Sequence, residues 1–228
     1  MSNWSDTLAV FDLETTGIDV ETSRIVSATV AVLDAEGVVL ERIDWLLDPG
    51  VDIPIGATNV HGITTAHASE NGQDAAEGVA EIVASLRAHL ARGLPLVAYN
   101  APYDLTLLNR ESLRYAVAPL LAPSPVVDPL VIDKAVDRYR KGKRTLEVTS
   151  AFYGVALEGA HDSGADAIAA GRVAQAIARA HVSALPSTAP ELHALQVGWC
   201  KQQADSFQDY MRRERDPQFV AFGGWPER

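Results

Sequence analysis

Residues 8–17 read Leu8-Ala9-Val10-Phe11-Asp12-Leu13-Glu14-Thr15-Thr16-Gly17. Four apolar residues run into an acid, and a glycine follows. This is the pattern of a buried strand that ends at a turn. Alternate residues of a strand face the same way, so Asp12 and Glu14 share one side. Two adjacent anions repel, and at the end of a buried strand they are costly unless a cation neutralises them. The plain alternative is an acidic turn on a solvated strand end. The apolar run behind the acids makes the pattern more specific without deciding between the two.

Working outward, Arg24 to Leu33 is rich in Val, Ile and Thr and reads as a second strand. Asp34-Ala35-Glu36-Gly37 is a hairpin-type turn, and Val38 to Leu47 supplies a third strand. Residues 51–71 hold Pro54 and no sustained period, so they read as a loop with at most short turns. Asp74 to Leu90 is helical by the 3–4 spacing of Val79, Ile82, Val83, Leu86 and Leu90. Leu94 to Tyr99 is a fourth strand, and Pro102 opens a helix. Pro125 to Asp128 is a short fifth strand, followed by helices near 129–139, 145–153 and 164–181. Ser183 to Pro190 reads as a linker, and Glu191 to about Arg213 as a final helix. Leu192, Leu195, Trp199, Phe207 and Tyr210 lie near one face of that helix. The expected architecture is a mixed, five-stranded α/β sheet flanked by helices, with a C-terminal helical extension. The expected division is 1–182 for the main domain, 183–190 for the linker and 191–228 for the extension and tail.

Composition narrows the class. With 47% hydrophobic and 21% charged residues, the chain is globular rather than disordered. The single cysteine, Cys200, excludes an intramolecular disulfide. No apolar run approaches the ~18 residues of a membrane span. The first residues lack a signal-peptide pattern, so the expected location is cytoplasmic, with no membrane partner. The net charge of −11 argues on its face against a polyanionic partner. Its distribution does not. Residues 1–100 hold 15 acids and 4 cations, and residues 101–228 hold 15 of each. Arg138, Arg140, Lys141, Lys143 and Arg144 place five cations in seven residues. That run reads either as a solvated loop or as a phosphate contact.

More carboxylates follow the predicted strand ends. Asp104 sits one turn into a helix in Tyr99-Asn100-Ala101-Pro102-Tyr103-Asp104, and Asp128 ends the fifth strand. Ligands gather at the carboxyl ends of parallel strands, and acids at adjacent strand ends suit a divalent cation. His161 precedes Asp166 by five residues, at the start of an alanine-rich helix.

Three segments in this order resemble the DnaQ-like (DEDDh) 3′→5′ exonucleases with an RNase H-like fold, a group that includes polymerase proofreading subunits. The segments are Asp12-Leu13-Glu14-Thr15-Thr16-Gly17, Asn100-Ala101-Pro102-Tyr103-Asp104 and His161-Asp162-Ser163-Gly164-Ala165-Asp166. Asn59-Val60-His61-Gly62-Ile63-Thr64 is similar to the family's His-Gly-Ile loop. The resemblance spans roughly residues 6–182. Departures are Tyr99 where many relatives carry histidine, Ser163 and Gly164 in the third segment, and Ser27 where an acid is frequent.

The resemblance implies two Mg²⁺ or Mn²⁺ ions held by Asp12, Glu14, Asp104 and Asp166, with His161 as general base. It implies terminal-nucleotide contacts at Thr15, Thr16 and Asn100. His61 and Tyr103 are further candidate substrate contacts, although each also reads as an ordinary turn or core residue. The implied reaction is release of 5′-mononucleotides from 3′ ends of single-stranded DNA. RNA is an alternative substrate for the same acids. A non-catalytic nucleic-acid-binding or polymerase-associated module is a second alternative, opposed by the complete set of acids. Residues 191–228 are expected to offer a contact for a polymerase or another protein partner.

Overall fold

The computed structural model describes residues 3–157 and 161–228. In chain order its elements are β1 (Leu8–Thr15), β2 (Ile25–Leu33), β3 (Val39–Asp48), α1 (Ile55–His61), α2 (Thr65–Asn71), β4 (Gln73–Asp74) and α3 (Ala75–Ala91). Then come β5 (Leu96–Val97), α4 (Ala101–Arg114), β6 (Val126–Val127), α5 (Pro129–Val136), α6 (Leu146–Tyr153), α7 (Ser163–Ala180) and α8 (Ala189–Glu214). The strands form one sheet in the order β4-β3-β2-β1-β5-β6. β1 pairs antiparallel with β2 and parallel with β5, and β5 pairs parallel with β6. The mixed α/β sheet expected from the sequence is present, with six strands instead of five. The added strand is β4, two residues that pair with Leu47 and Asp48.

Residues 51–71 depart from the loop reading. They hold α1 and α2, each seven residues long. Two turns are too short to display a hydrophobic period, so only local chemistry marks these helices. Thr64 caps α2 by accepting from the His67 amide, and Gly62 ends α1 at φ 79°, where a side chain would be strained.

The alternation of β1 sorts the core. Ala9, Phe11 and Leu13 face α3 and α4, and Leu8 and Val10 face α7. Asp12 and Glu14 continue the second series, so they emerge on the α7 side. α7 approaches the sheet closely because Gly171 has no side chain. A Cβ there would lie 2.5 Å from both Val10 Cγ1 and Leu33 Cδ1. This contact fixes how near the first turn of α7 comes to the end of β1.

α8 covers the β6 edge of the sheet. The Gln196 amide donates to the Val126 carbonyl (3.0 Å), and its oxygen accepts from the Asp128 amide (2.7 Å). His193 Nδ1 accepts from the Val126 amide (3.0 Å). These bonds satisfy an edge that would otherwise be open to pairing. Leu192 is buried, whereas Leu195 is exposed, so the packed face of α8 is narrower than the sequence pattern suggests. Trp225 from the tail joins the core on the α4 side. Among the described residues, no helix is long and apolar enough to cross a membrane.

Candidate active site

β1 delivers Asp12 and Glu14, and the first turn of α7 delivers Asp166. One carboxylate oxygen of each lies within 4.8 Å of the others. Asp104, in the first turn of α4, is buried beside them and outside that triplet. Three of the four expected metal ligands therefore converge, with the fourth adjacent.

The electrostatics are unbalanced. Burial, then the charges of Asp104, Glu14, Asp166 and Asp162, hold the Asp12 carboxyl well above the usual carboxylate range. Burial, then Asp166 and Asp162, push Glu14 up to about 8. Asp166 is raised by burial and by Asp162, against the His161 amide and charge. Asp104 is also raised, chiefly by burial. Among the described residues, no Lys or Arg forms an ion pair with Asp12, Glu14 or Asp166. The Oδ1 atom of Asp166 is buried and, among the described residues, has no hydrogen-bond partner, while Oδ2 accepts from the His161 amide (3.3 Å). Hard divalent cations take oxygen ligands. An orphaned buried carboxylate oxygen inside a cluster of like charges fits such an ion.

Asp162 was not assigned a role from the sequence. It is the N-cap of α7, accepting from the Ala165 amide (2.9 Å), and its charge bears on Asp12, Glu14 and Asp166. An N-cap acid followed by a small-residue helix was the available signal.

Asp128 is not part of the cluster. Its buried carboxylate accepts from the amides of Asn100 (3.1 Å), Ala101 (3.0 Å) and Leu130 (3.0 Å). It caps α5 and holds the start of α4. Burial still pushes it up to about 6 against these donors.

The expected substrate contacts surround the acids. The hydroxyls of Thr15 and Tyr103 lie 2.7 Å apart, and each lies within reach of the Gly17 carbonyl (2.8 and 2.5 Å). Two hydrogens serve these three oxygens, so one hydroxyl donates to the other, which donates to Gly17. The Thr16 hydroxyl accepts from the Arg24 amide (2.9 Å). Both threonine side chains are thus held internally. Asn100 sits at φ 67°, and its side chain makes no capping bond. His61 ends α1, with Nδ1 accepting from the Ile63 amide (3.1 Å) and Nε2 buried without a partner. Burial lowers its pKa, the Thr15 carbonyl opposes this, and the charge of His161 adds to the lowering. The His-Gly-Ile loop therefore stands beside both β1 and His161.

A polar network accounts for the three unusual small residues. The Ser163 hydroxyl lies 3.0 Å from Thr29 Oγ1 and 3.5 Å from Ser27 Oγ. Thr29 donates to Asp44 (2.7 Å), which Arg42 binds through Nε (2.8 and 3.0 Å). A Cβ on Gly164 would collide with the Arg42 guanidinium. Ser27, Ser163 and Gly164 thus fit the start of α7 onto β2 and β3.

The basic run divides. Arg140 and Arg144 both pair with buried Asp133, the latter at 2.6 Å, and Arg144 also binds the carbonyls of Asp137 and Arg140. These two arginines are spent inside the protein, which corrects the reading of the run as one cationic loop. No ion pair holds Arg138, Lys141 or Lys143 among the described residues.

The exonuclease family model RNase_T matches residues 9–174. The chain belongs to this exonuclease family. It is an exonuclease-family hydrolase of the RNase T and DnaQ-like group. The matched span contains Asp12, Glu14, Asp104, His161 and Asp166, and ends before α8. A DNA polymerase III subunit epsilon-like protein of Rhodobacter capsulatus is 37% identical over 133 residues, covering 57% of this chain and 18% of the relative. The PolC-type DNA polymerase III of Streptococcus thermophilus is 29% identical over 168 residues, covering 73% of this chain and 11% of the relative. The chain thus spans less than a fifth of the length of these curated relatives. Among solved structures, E. coli exonuclease I with a dT13 oligonucleotide aligns with a TM-score of 0.63 at 21% identity, covering 76% of this chain and 41% of that one. At that identity the likeness speaks to the family's shared fold.

Proposed function

We propose that this chain is a metal-dependent 3′→5′ exonuclease that releases 5′-mononucleotides from single-stranded DNA. The observation that carries the reading is the partly buried Asp12, Glu14 and Asp166 triplet, with the orphaned Asp166 Oδ1 inside it. Asp12, Glu14 and Asp166 hold divalent cations, Mg²⁺ or Mn²⁺, and the buried Asp104 completes the set. Two such ions, when bound, supply a water activated for attack and stabilisation of the departing 3′ oxygen.

The chain's own groups do the rest. His161 accepts the proton of the attacking water, a general-base role that an imidazole nitrogen can fill. Its backbone bond to Asp166 keeps it beside the triplet. The backbone around Thr15 and Thr16, the Asn100 carboxamide and the Tyr103 ring position the terminal nucleotide. His61 borders the scissile end. Residues 1–182 form the catalytic domain, 183–190 the connection and 191–228 the extension. The oligonucleotide named with the E. coli exonuclease I structure supports single-stranded DNA as substrate. The relatives named as polymerase chains support a polymerase as protein partner.

The test is digestion of 3′-labelled single- and double-stranded DNA and RNA with Mg²⁺, Mn²⁺ or chelator. Metal-dependent release of 5′-mononucleotides from single-stranded DNA is expected, absent in Asp12→Ala. Wild-type-like degradation by purified Asp12→Ala protein sinks the assignment, and a preference for RNA overturns the choice of substrate.

A further inference from the structure

A groove of about 540 Å³ runs between α5 and α8, and none of the acid triplet lines it. Trp199, Gln203, Phe207 and Tyr210 line it from α8, and Lys134 and Arg138 line it from α5 and the turn after it. The chain carries 30 acids against 19 Lys and Arg, yet among the described residues no acid lines this groove. Neither Lys134 nor Arg138 is in an ion pair among the described residues. This separates Arg138 from Arg140 and Arg144, which Asp133 consumes.

The aromatic residues form a stripe at helical spacing. From Trp199 to Tyr210 it runs about 16 Å along the α8 axis. Trp199 is anchored against both core clusters. Phe207 is braced edge-on by Phe219 (ring centroids 5.4 Å apart) and is still half exposed, as is Tyr210. An exposed stripe of rings, two of them braced, beside cations and without acids among the described residues, matches a base-stacking platform with phosphate contacts. An apolar peptide would leave the two cations unanswered.

α5 also links the groove to the site. Asp128, which caps α5, binds the Asn100 and Ala101 amides. Lys134 lies about 9 Å further along the same helix. A strand whose 3′ end rests at Asn100 reaches the groove within a few nucleotides.

We propose that the α5–α8 groove binds single-stranded nucleic acid upstream of the 3′ end. The proposal rests on the exonuclease reading for its polarity, and the α8 wall of the groove lies outside the span matched by the family model, while Lys134 and Arg138 lie within it. The groove holds the strand by stacking and charge and so sets length-dependent affinity.

The experiment measures binding of fluorescent thymidine oligonucleotides, a trinucleotide and a dodecanucleotide, in chelator so that no hydrolysis occurs. Phe207→Ser with Tyr210→Ser should weaken dodecanucleotide binding at least about fivefold and leave trinucleotide binding within twofold. Lys134→Ala with Arg138→Ala should make the salt dependence of dodecanucleotide binding shallower by about 1.4 in log–log slope. Circular dichroism confirms folding of each variant. Unchanged dodecanucleotide affinity in both folded variants overturns the proposal. So does groove-dependent binding of an acidic, Phe-containing peptide with no effect on DNA, which would make the groove a protein-docking site. Groove-dependent DNA binding without metal-dependent hydrolysis by the wild type would support the groove and remove the exonuclease reading.

Discussion

A fully buried acid, Asp133, and a partly buried triplet of acids lie on this fold, and their charges are met in opposite ways. Asp133 is fully buried and receives Arg140, Arg144 and the Tyr153 hydroxyl (3.0 Å). Asp12, Glu14 and Asp166 crowd together with no Lys or Arg ion pair among the described residues, and an oxygen of Asp166 has no partner. The first arrangement is complete without a ligand. The second carries like charges whose cost a cation from outside relieves. Burial of an acid alone therefore does not mark a site; uncompensated burial does. Asp128 makes the same point, because three backbone amides absorb its charge.

The comparison breaks most sharply at Asp12, whose charge feels all four neighbouring acids. Asp12→Ala should cut hydrolysis at least about 10³-fold, several kcal/mol of lost transition-state stabilisation. The same change should leave the metal-free protein as stable as wild type or more so, read by thermal unfolding in chelator. Asp133→Ala should do the reverse. Stranding two nearly buried guanidinium groups should cost about 3–5 kcal/mol of unfolding free energy, read by urea titration. Its residual folded fraction should keep metal-dependent hydrolysis.

His161→Ala should lower turnover about 10²-fold without changing metal affinity, since a base contributes to the reaction and not to the ligand set. Stopped turnover assays and metal titration separate the two. The pH dependence of stability sharpens the contrast further. Burial raises Glu14 from its ordinary 4.5 to about 8, so the folded state favours the protonated form. Its contribution is fully present below about 4.5 and is lost as pH rises through about 8. In chelator, the thermal midpoint should fall by at least about 3 °C across that window, and Mg²⁺ should restore it. The smallest effect belongs to Ser163→Ala. Losing its bond to Thr29 should cost about 0.5–1.5 kcal/mol, with a slight loss of turnover through the displaced start of α7.

Much of this was legible in the sequence because β1 states its own geometry. The apolar run from Leu8 to Phe11 marks a buried strand, and the two-residue period of a strand puts Asp12 and Glu14 on one side. The alanine-rich run from Gly164 to His181 likewise marks the helix whose first turn holds Asp166. What escaped is what depends on contacts between distant segments. Arg140 and Arg144 look identical to Lys141 and Lys143 until Asp133 folds back onto them. Asp128 looks like a ligand until the α4 amides reach it. The helices α1 and α2 are too short for a period, and β4 is two residues long. Asp162 shows its capping role by position, but its charge on the triplet needs the folded distances.

The central claim is that the uncompensated triplet is a divalent-cation site. Calorimetric titration of Mn²⁺ into the purified chain tests it most directly. The account predicts saturable uptake by wild type, retained in His161→Ala and lost in Asp12→Ala. No uptake by wild type, or uptake unchanged by Asp12→Ala, would contradict it.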